Sequence, residues 1–80
     1  MELDLHGMKL WEAMEEIGYR LEECKVKGAR QITLIHGHHG KAVLKDYIRS
    51  KGFLKEMKRE GHSLKRLKSS NPGVSIFELR

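Results

Sequence analysis

The chain opens with polar and apolar residues in strict alternation, Glu2-Leu3-Asp4-Leu5-His6. Period two predicts a short, half-buried strand over Glu2–His6, closed by Gly7. From Lys9 the period lengthens. Leu10, Met14, Ile17 and Leu21 recur at helical spacing, and Glu12, Glu15, Glu16, Glu22 and Glu23 fill the other side. This helix is expected to reach Lys27 and stop at Gly28, with Lys25 and Lys27 at the negative end of its dipole. Gly18 inside it costs about 1 kcal/mol against alanine, which suggests close packing on a sheet. Trp11 and Met14 are read as core or its rim, and Cys24 as a small packing residue.

Gln31-Ile32-Thr33-Leu34-Ile35-His36 is nearly continuous in β-branched and aliphatic residues, as for a central strand covered on both faces. Gly37-His38-His39-Gly40 interrupts it. A second helix is predicted from Lys41, with Val43, Leu44, Tyr47 and Ile48 on its apolar side. Gly52 is expected to end it, with Phe53–Met57 resuming for a turn or two. Ser63–Lys68 is a weak strand candidate, Ser69-Ser70-Asn71-Pro72-Gly73 a turn, and Val74–Leu79 a last strand. The predicted order is βαβαββ, read as one complete α/β domain over residues 1–80.

Topology follows from that order. A strand–helix–strand unit forms a right-handed crossover between parallel strands, so the first two strands end at one edge of the sheet. Ligands of open α/β sheets bind outside such carboxyl ends. Asp4-Leu5-His6-Gly7 and His36-Gly37-His38-His39-Gly40 both fall there, with Asp4 and His6 within about 12 Å of the Gly37–Gly40 turn, given strands roughly 4.8 Å apart.

Composition narrows the setting. Eighty residues allow one domain. No apolar run approaches the ~20 residues of a membrane span, and the acidic start Met1-Glu2-Leu3-Asp4 has no signal-peptide plan. A single cysteine excludes an internal disulfide. A reducing, cytoplasmic setting is the expectation, with no membrane partner. The net charge of +5 is uneven. Residues 41–70 hold ten bases against Asp46, Glu56 and Glu60, whereas residues 1–30 hold seven acids against five bases. A basic half of this density suits either a polyanionic partner or a solvated lysine-rich face.

Two groups of residues carry chemistry. Asp4 and His6 are two apart on a strand and share a face, so the carboxylate can fix the imidazole tautomer and raise its basicity. Alternating polar residues on an edge strand would look the same. The glycine-bracketed turn before a helix offers the amides of Gly40, Lys41 and Ala42 to an anion, with His38, His39 and Lys41 adding charge. It is not a Walker loop, since Gly-Lys-Ser/Thr is missing. His36, His38 and His39 with His6 also permit a divalent metal. His62 is read as an exposed loop residue and Tyr47 as apolar-face packing.

Leu3-Asp4-Leu5-His6-Gly7-Met8, Gly28–Gly37 ending in His36-Gly37, Gly40 with Leu44-Lys45, and Gly73–Leu79 together resemble the ordered signatures of small MutS-related (Smr) domains. The resemblance covers essentially the whole chain. It implies a two-layer α/β (α+β) sandwich similar to the C-terminal domain of bacterial translation initiation factor three. It further implies endonuclease activity, RNA cleavage or DNA nicking, with Asp4 and His6 as the Asp-x-His element and His36-Gly37 as the His-Gly turn. Two departures stand out. The loop His36-Gly37-His38-His39-Gly40 reaches its helix sooner than the usual His-Gly-x-Gly-x-Gly, and Lys45 replaces a common arginine, which grips phosphate bidentately where lysine does not.

The functional expectation is then a nucleic-acid-binding endonuclease. Gly37, His38, His39, Gly40, Lys41, Lys45, Arg49 and Lys51 hold RNA or DNA, Asp4 orients His6 as the proton carrier, and His36 protonates the leaving oxygen or simply binds. No cofactor is required, and a divalent metal stays open. The alternatives are a non-catalytic nucleic-acid or ribosome-binding module and a metal-dependent phosphodiesterase built on the histidine cluster.

Overall fold

The computed structural model describes residues 1–37 and 43–80. Along it run β1 (Glu2–Asp4), α1 (Leu10–Lys27), β2 (Gln31–Ile35), α2 (Val43–Ile48), α3 (Lys51–Arg59), β3 (Leu64–Leu67) and β4 (Val74–Leu79). The strands form one mixed sheet in the order β1-β2-β4-β3. β1 runs parallel to β2, with Asp4 opposite Ile35, and the other two pairings are antiparallel. The predicted crossover is therefore present, and β1 and β2 end at a common edge.

Alternation sorts the sheet into two faces. Leu3, Leu5, Ile32, Leu34 and Phe77 are buried with Ala13, Ile17, Leu21 and Cys24 of α1 and with Leu44, Ile48, Phe53 and Met57 of the later helices. All three helices thus cover one face, in a two-layer arrangement. Thr33 and Ile35 on the other face are only half-buried. The expectation of a strand covered on both faces is corrected: β2 is rich in aliphatics, yet only alternate residues reach the core. Phe53 and Phe77 anchor that core, their ring centroids 5.4 Å apart.

Local signals explain most element ends. At the start of α1 the Glu12 carboxylate accepts the Lys9 N–H at 3.0 Å, half of a capping box. Gly28 closes the helix in the left-handed region at φ 71°, and the Ala29 N–H reaches back to the Cys24 carbonyl at 2.9 Å.

Several sequence expectations need correction. The second helical stretch breaks at Arg49–Ser50, not at Gly52. The Ser50 hydroxyl accepts the Phe53 N–H at 3.2 Å and so caps α3, which holds Gly52 in its first turn. A Cβ at Gly18 would meet nothing within 4 Å, so no close packing selects glycine there. Trp11 is 62% exposed and does not belong to the core, while Met14 packs against it. His62 is buried, with Nε2 3.4 Å from a Glu22 carboxylate oxygen. Among the described residues no helix is long and apolar enough to cross a membrane.

Candidate active site at the carboxyl edge of the sheet

β1 delivers Asp4 and then His6 to the edge, and the pleat turns both away from the core that Leu3 and Leu5 enter. The His6 Nδ1–H donates to Asp4 Oδ1 at 2.6 Å, and the His6 backbone N–H donates to the same oxygen at 3.1 Å. One carboxylate oxygen therefore fixes both the ring and its backbone. This bond selects the Nδ1–H tautomer and turns Nε2 outward as the basic nitrogen. The hydrogen bond to Asp4, with its negative charge, raises the His6 pKa above its ordinary value, and the same bonds lower that of Asp4. Both side chains are more than half exposed, so a bound molecule can reach them.

β2 brings His36 and Gly37 alongside. Leu5 N–H bonds to the Ile35 carbonyl at 2.7 Å, which extends the parallel pairing one residue past β1 and sets His6 beside Gly37. A Cβ built on Gly37 would lie 3.8 Å from the His6 Cβ. Gly37 also sits at φ 77°, where side chains are strained. The expected proximity of Asp4 and His6 to the turn thus holds at Gly37.

His36 differs from its neighbour. It is 6% exposed. Its Nδ1–H donates to the Gly37 carbonyl at 2.8 Å, and its Nε2 accepts from the Ser75 hydroxyl at 2.8 Å. Burial pushes its pKa down, helped by the nearby charges of Arg49 and Lys45. With both nitrogens engaged inside the protein, His36 ties β2 to β4. The Gly73 carbonyl reinforces that tie by accepting the His36 N–H and the Gly37 N–H, each at 3.0 Å. Ser75 escaped sequence reasoning. A serine in phase with Phe77 and Leu79, on the otherwise apolar core-facing side of the strand, was the available signal.

A groove of about 710 Å³ runs between the two strand ends, lined by His6–Leu10, Ile35–Gly37, Val43 and Leu44. Apolar residues such as Met8, Leu10, Ile35 and Leu44 share its wall with the exposed His6. Lys45 and Arg49 lie near enough to act on His36. Lys51 opens α3 and is not part of the groove wall. The assignments to His38, His39, Gly40 and Lys41, and the amide cradle of residues 40–42, lie outside the described residues. A metal at this edge would have Asp4 and His6 as its described donors, since both His36 nitrogens are engaged. Among the described residues no set of three or more His, Cys, Asp or Glu converges on one point.

Comparison with known proteins bears on the family and the fold. A family model described as Smr domain matches residues 3–77. The chain is 34% identical over 80 residues to Endonuclease MutS2 of Acetivibrio thermocellus, covering 99% of this chain and 10% of that protein. It is 30% identical over 84 residues to Endonuclease MutS2 of Brevibacillus brevis, covering 100% and 10%. The chain thus spans about a tenth of the length of these relatives. Among solved structures, the Smr domain of Thermus thermophilus MutS2 matches with a TM-score of 0.73 at 29% identity, over 99% of this chain and 96% of that one.

Proposed function

The chain belongs to the Smr domain family, and from that premise we propose that it binds polynucleotides and cleaves phosphodiester bonds with the Asp4–His6 pair. The observation that carries this reading is the 2.6 Å bond from His6 Nδ1–H to Asp4. It turns an exposed imidazole into an oriented base in the wall of a groove whose edge also feels the charges of Lys45 and Arg49. The MutS2 relatives named as endonucleases support the same reaction class.

On RNA the step needs no further group. His6 Nε2 takes the proton of a 2′-hydroxyl, and that oxygen attacks the adjacent phosphorus. The bond from phosphorus to the 5′ oxygen breaks, and solvent at the open edge protonates the leaving oxygen. The products are a 2′,3′-cyclic phosphate and a 5′-hydroxyl, and the imidazolium is held by Asp4 until it returns its proton to water. On DNA the same nitrogen would activate water. Proton transfer of this kind contributes about 10²–10⁴-fold, giving a slow nuclease. Lys45 supplies positive charge for the reacting phosphate, and His36 serves as a positioning residue that holds Gly37 beside His6.

Incubation of the purified chain with end-labelled RNA and DNA, with and without chelator, tests the reading. The expected result is RNA cleavage that survives chelation and leaves cyclic phosphate ends. Cleavage only with added divalent metal would favour the metal-dependent phosphodiesterase. Binding without cleavage under any metal or pH would leave a nucleic-acid or ribosome-binding module.

A further inference from the structure

Beyond His36 the same edge carries a second concavity. A pocket of about 510 Å³ lies where β3 ends and β4 begins, with Arg49, Arg66, Lys68, Ser69 and Ser75 in its wall. Its two guanidinium groups are held in place by the fold. Arg66 stacks 5.0 Å over the Phe77 ring and donates Nη2 to the Ile48 carbonyl at 3.0 Å. Arg49 donates Nη2 to the carbonyls of Pro72 and Val74 at 3.2 and 3.4 Å. Nε and Nη1 of each are without an acceptor among the described residues.

Charge balance points to a ligand. Among the described residues neither arginine has a carboxylate within ion-pair distance. Burial, and after it the charge of Arg49, lowers the pKa of Arg66. Lys68 adds a third, exposed positive charge. Guanidinium groups fixed together without a counter-charge fit a tetrahedral anion, which arginine grips with paired N–H groups. Ser75 ties this pocket to the Asp4–His6 groove: it lines the pocket and bonds His36, which lines the groove.

We propose that this pocket is a second phosphate subsite, which holds a backbone phosphate of the same polynucleotide that meets the Asp4–His6 pair. The inference rests on the polynucleotide reading above and adds a path to it. The strand order β1-β2-β4-β3 puts three inter-strand steps between His6 and the end of β3. At ~4.8 Å per step that is roughly 14 Å, or about four nucleotides stacked at ~3.4 Å each. The polynucleotide crosses the sheet edge from β1 to β3, and a dinucleotide is too short to occupy both sites.

Fluorescence anisotropy with labelled single-stranded RNA of two and six nucleotides tests this. The wild type should bind the hexanucleotide more tightly. In Lys68→Gln, an exposed position, that gain should shrink roughly three- to tenfold, and the log–log salt slope for the hexanucleotide should fall by about 0.7. Arg49→Gln should shrink the gain further, with circular dichroism checking its fold. An unchanged length gain in both folded variants overturns the proposal. Inorganic phosphate, followed by the amide shifts of Leu67–Ser69, reads the pocket without a polynucleotide. If phosphate shifts these amides while the wild type binds neither oligonucleotide, the polynucleotide reading fails and only a simple anion site remains. If phosphate shifts nothing there, the subsite itself is overturned.

Discussion

His6 and His36 stand one strand apart at the same edge, yet their surroundings drive their protons in opposite directions. His6 is exposed and gives its Nδ1–H to a carboxylate, which raises its pKa. His36 is buried and gives its Nδ1–H to a carbonyl, while a hydroxyl occupies its Nε2, and its pKa falls. The same tautomer thus leaves a free basic nitrogen in one case and a filled one in the other. A histidine beside a glycine turn is not chemistry until its second nitrogen is accounted for. On this comparison the proposed proton carrier is His6, and His36 holds the frame.

Removing each ring should separate the two roles. His6→Ala should lower the RNA cleavage rate by about 10²–10⁴-fold and leave the melting temperature unmoved. Equal rates for the folded variant and the wild type would break the comparison. Asp4→Asn should slow cleavage on the order of tenfold or more and shift the pH–rate midpoint down toward the ordinary histidine value of 6.5. A midpoint that does not move would mean that Asp4 does not tune His6.

His36→Ala should act on stability. It strands the Ser75 hydroxyl and the Gly37 carbonyl, at a cost of about 1–3 kcal/mol, read as a lower urea midpoint. Its cleavage rate per folded molecule should fall far less than that of His6→Ala. Gly18→Ala, at an open helical position, should add up to about 1 kcal/mol and give a background in which His36 variants stay folded. A destabilised Gly18→Ala would reveal packing at that position after all.

Stability against pH sharpens the same contrast. The folded pKa of His36 lies below its unfolded value of 6.5, so the unfolded chain binds more protons as pH falls below 6.5. Its contribution to stability is therefore lost as pH drops toward the folded pKa. His6 behaves oppositely: its contribution is present below 6.5 and lost as pH rises through its raised folded pKa. Solvent screening keeps that second limb small. Urea midpoints between pH 5 and 8 should show the acid-side loss in wild type and a flatter profile in His36→Ala.

Much of this edge was legible in the sequence because it depends on period and topology. Alternation over Glu2–His6 put Asp4 and His6 on one face, and the crossover rule put them beside Gly37. What was hidden depends on contacts between distant residues. The pairing of β2 with β4 sets Ser75 against His36, and no local pattern announces that. His62 looked exposed after Gly61, but the chain folds it against Glu22 of α1. Trp11, three residues before Met14, has a position that suggests core or rim, yet the helix turns it into solvent. Ser50, three residues before Phe53, is the local cap signal, and Gly52 beside it is an equally good helix stop by composition alone.

Nuclear magnetic resonance titration of both imidazoles in the wild-type chain tests the central contrast most directly, since it needs no substrate. Side-chain nitrogen shifts report tautomer and midpoint together. The expected result is a His6 midpoint above 6.5 and a His36 midpoint below it, with Nδ1 carrying the proton in both neutral rings. Reversed midpoints, or a His6 ring that carries its proton on Nε2, would contradict the assignment of His6 as the proton carrier.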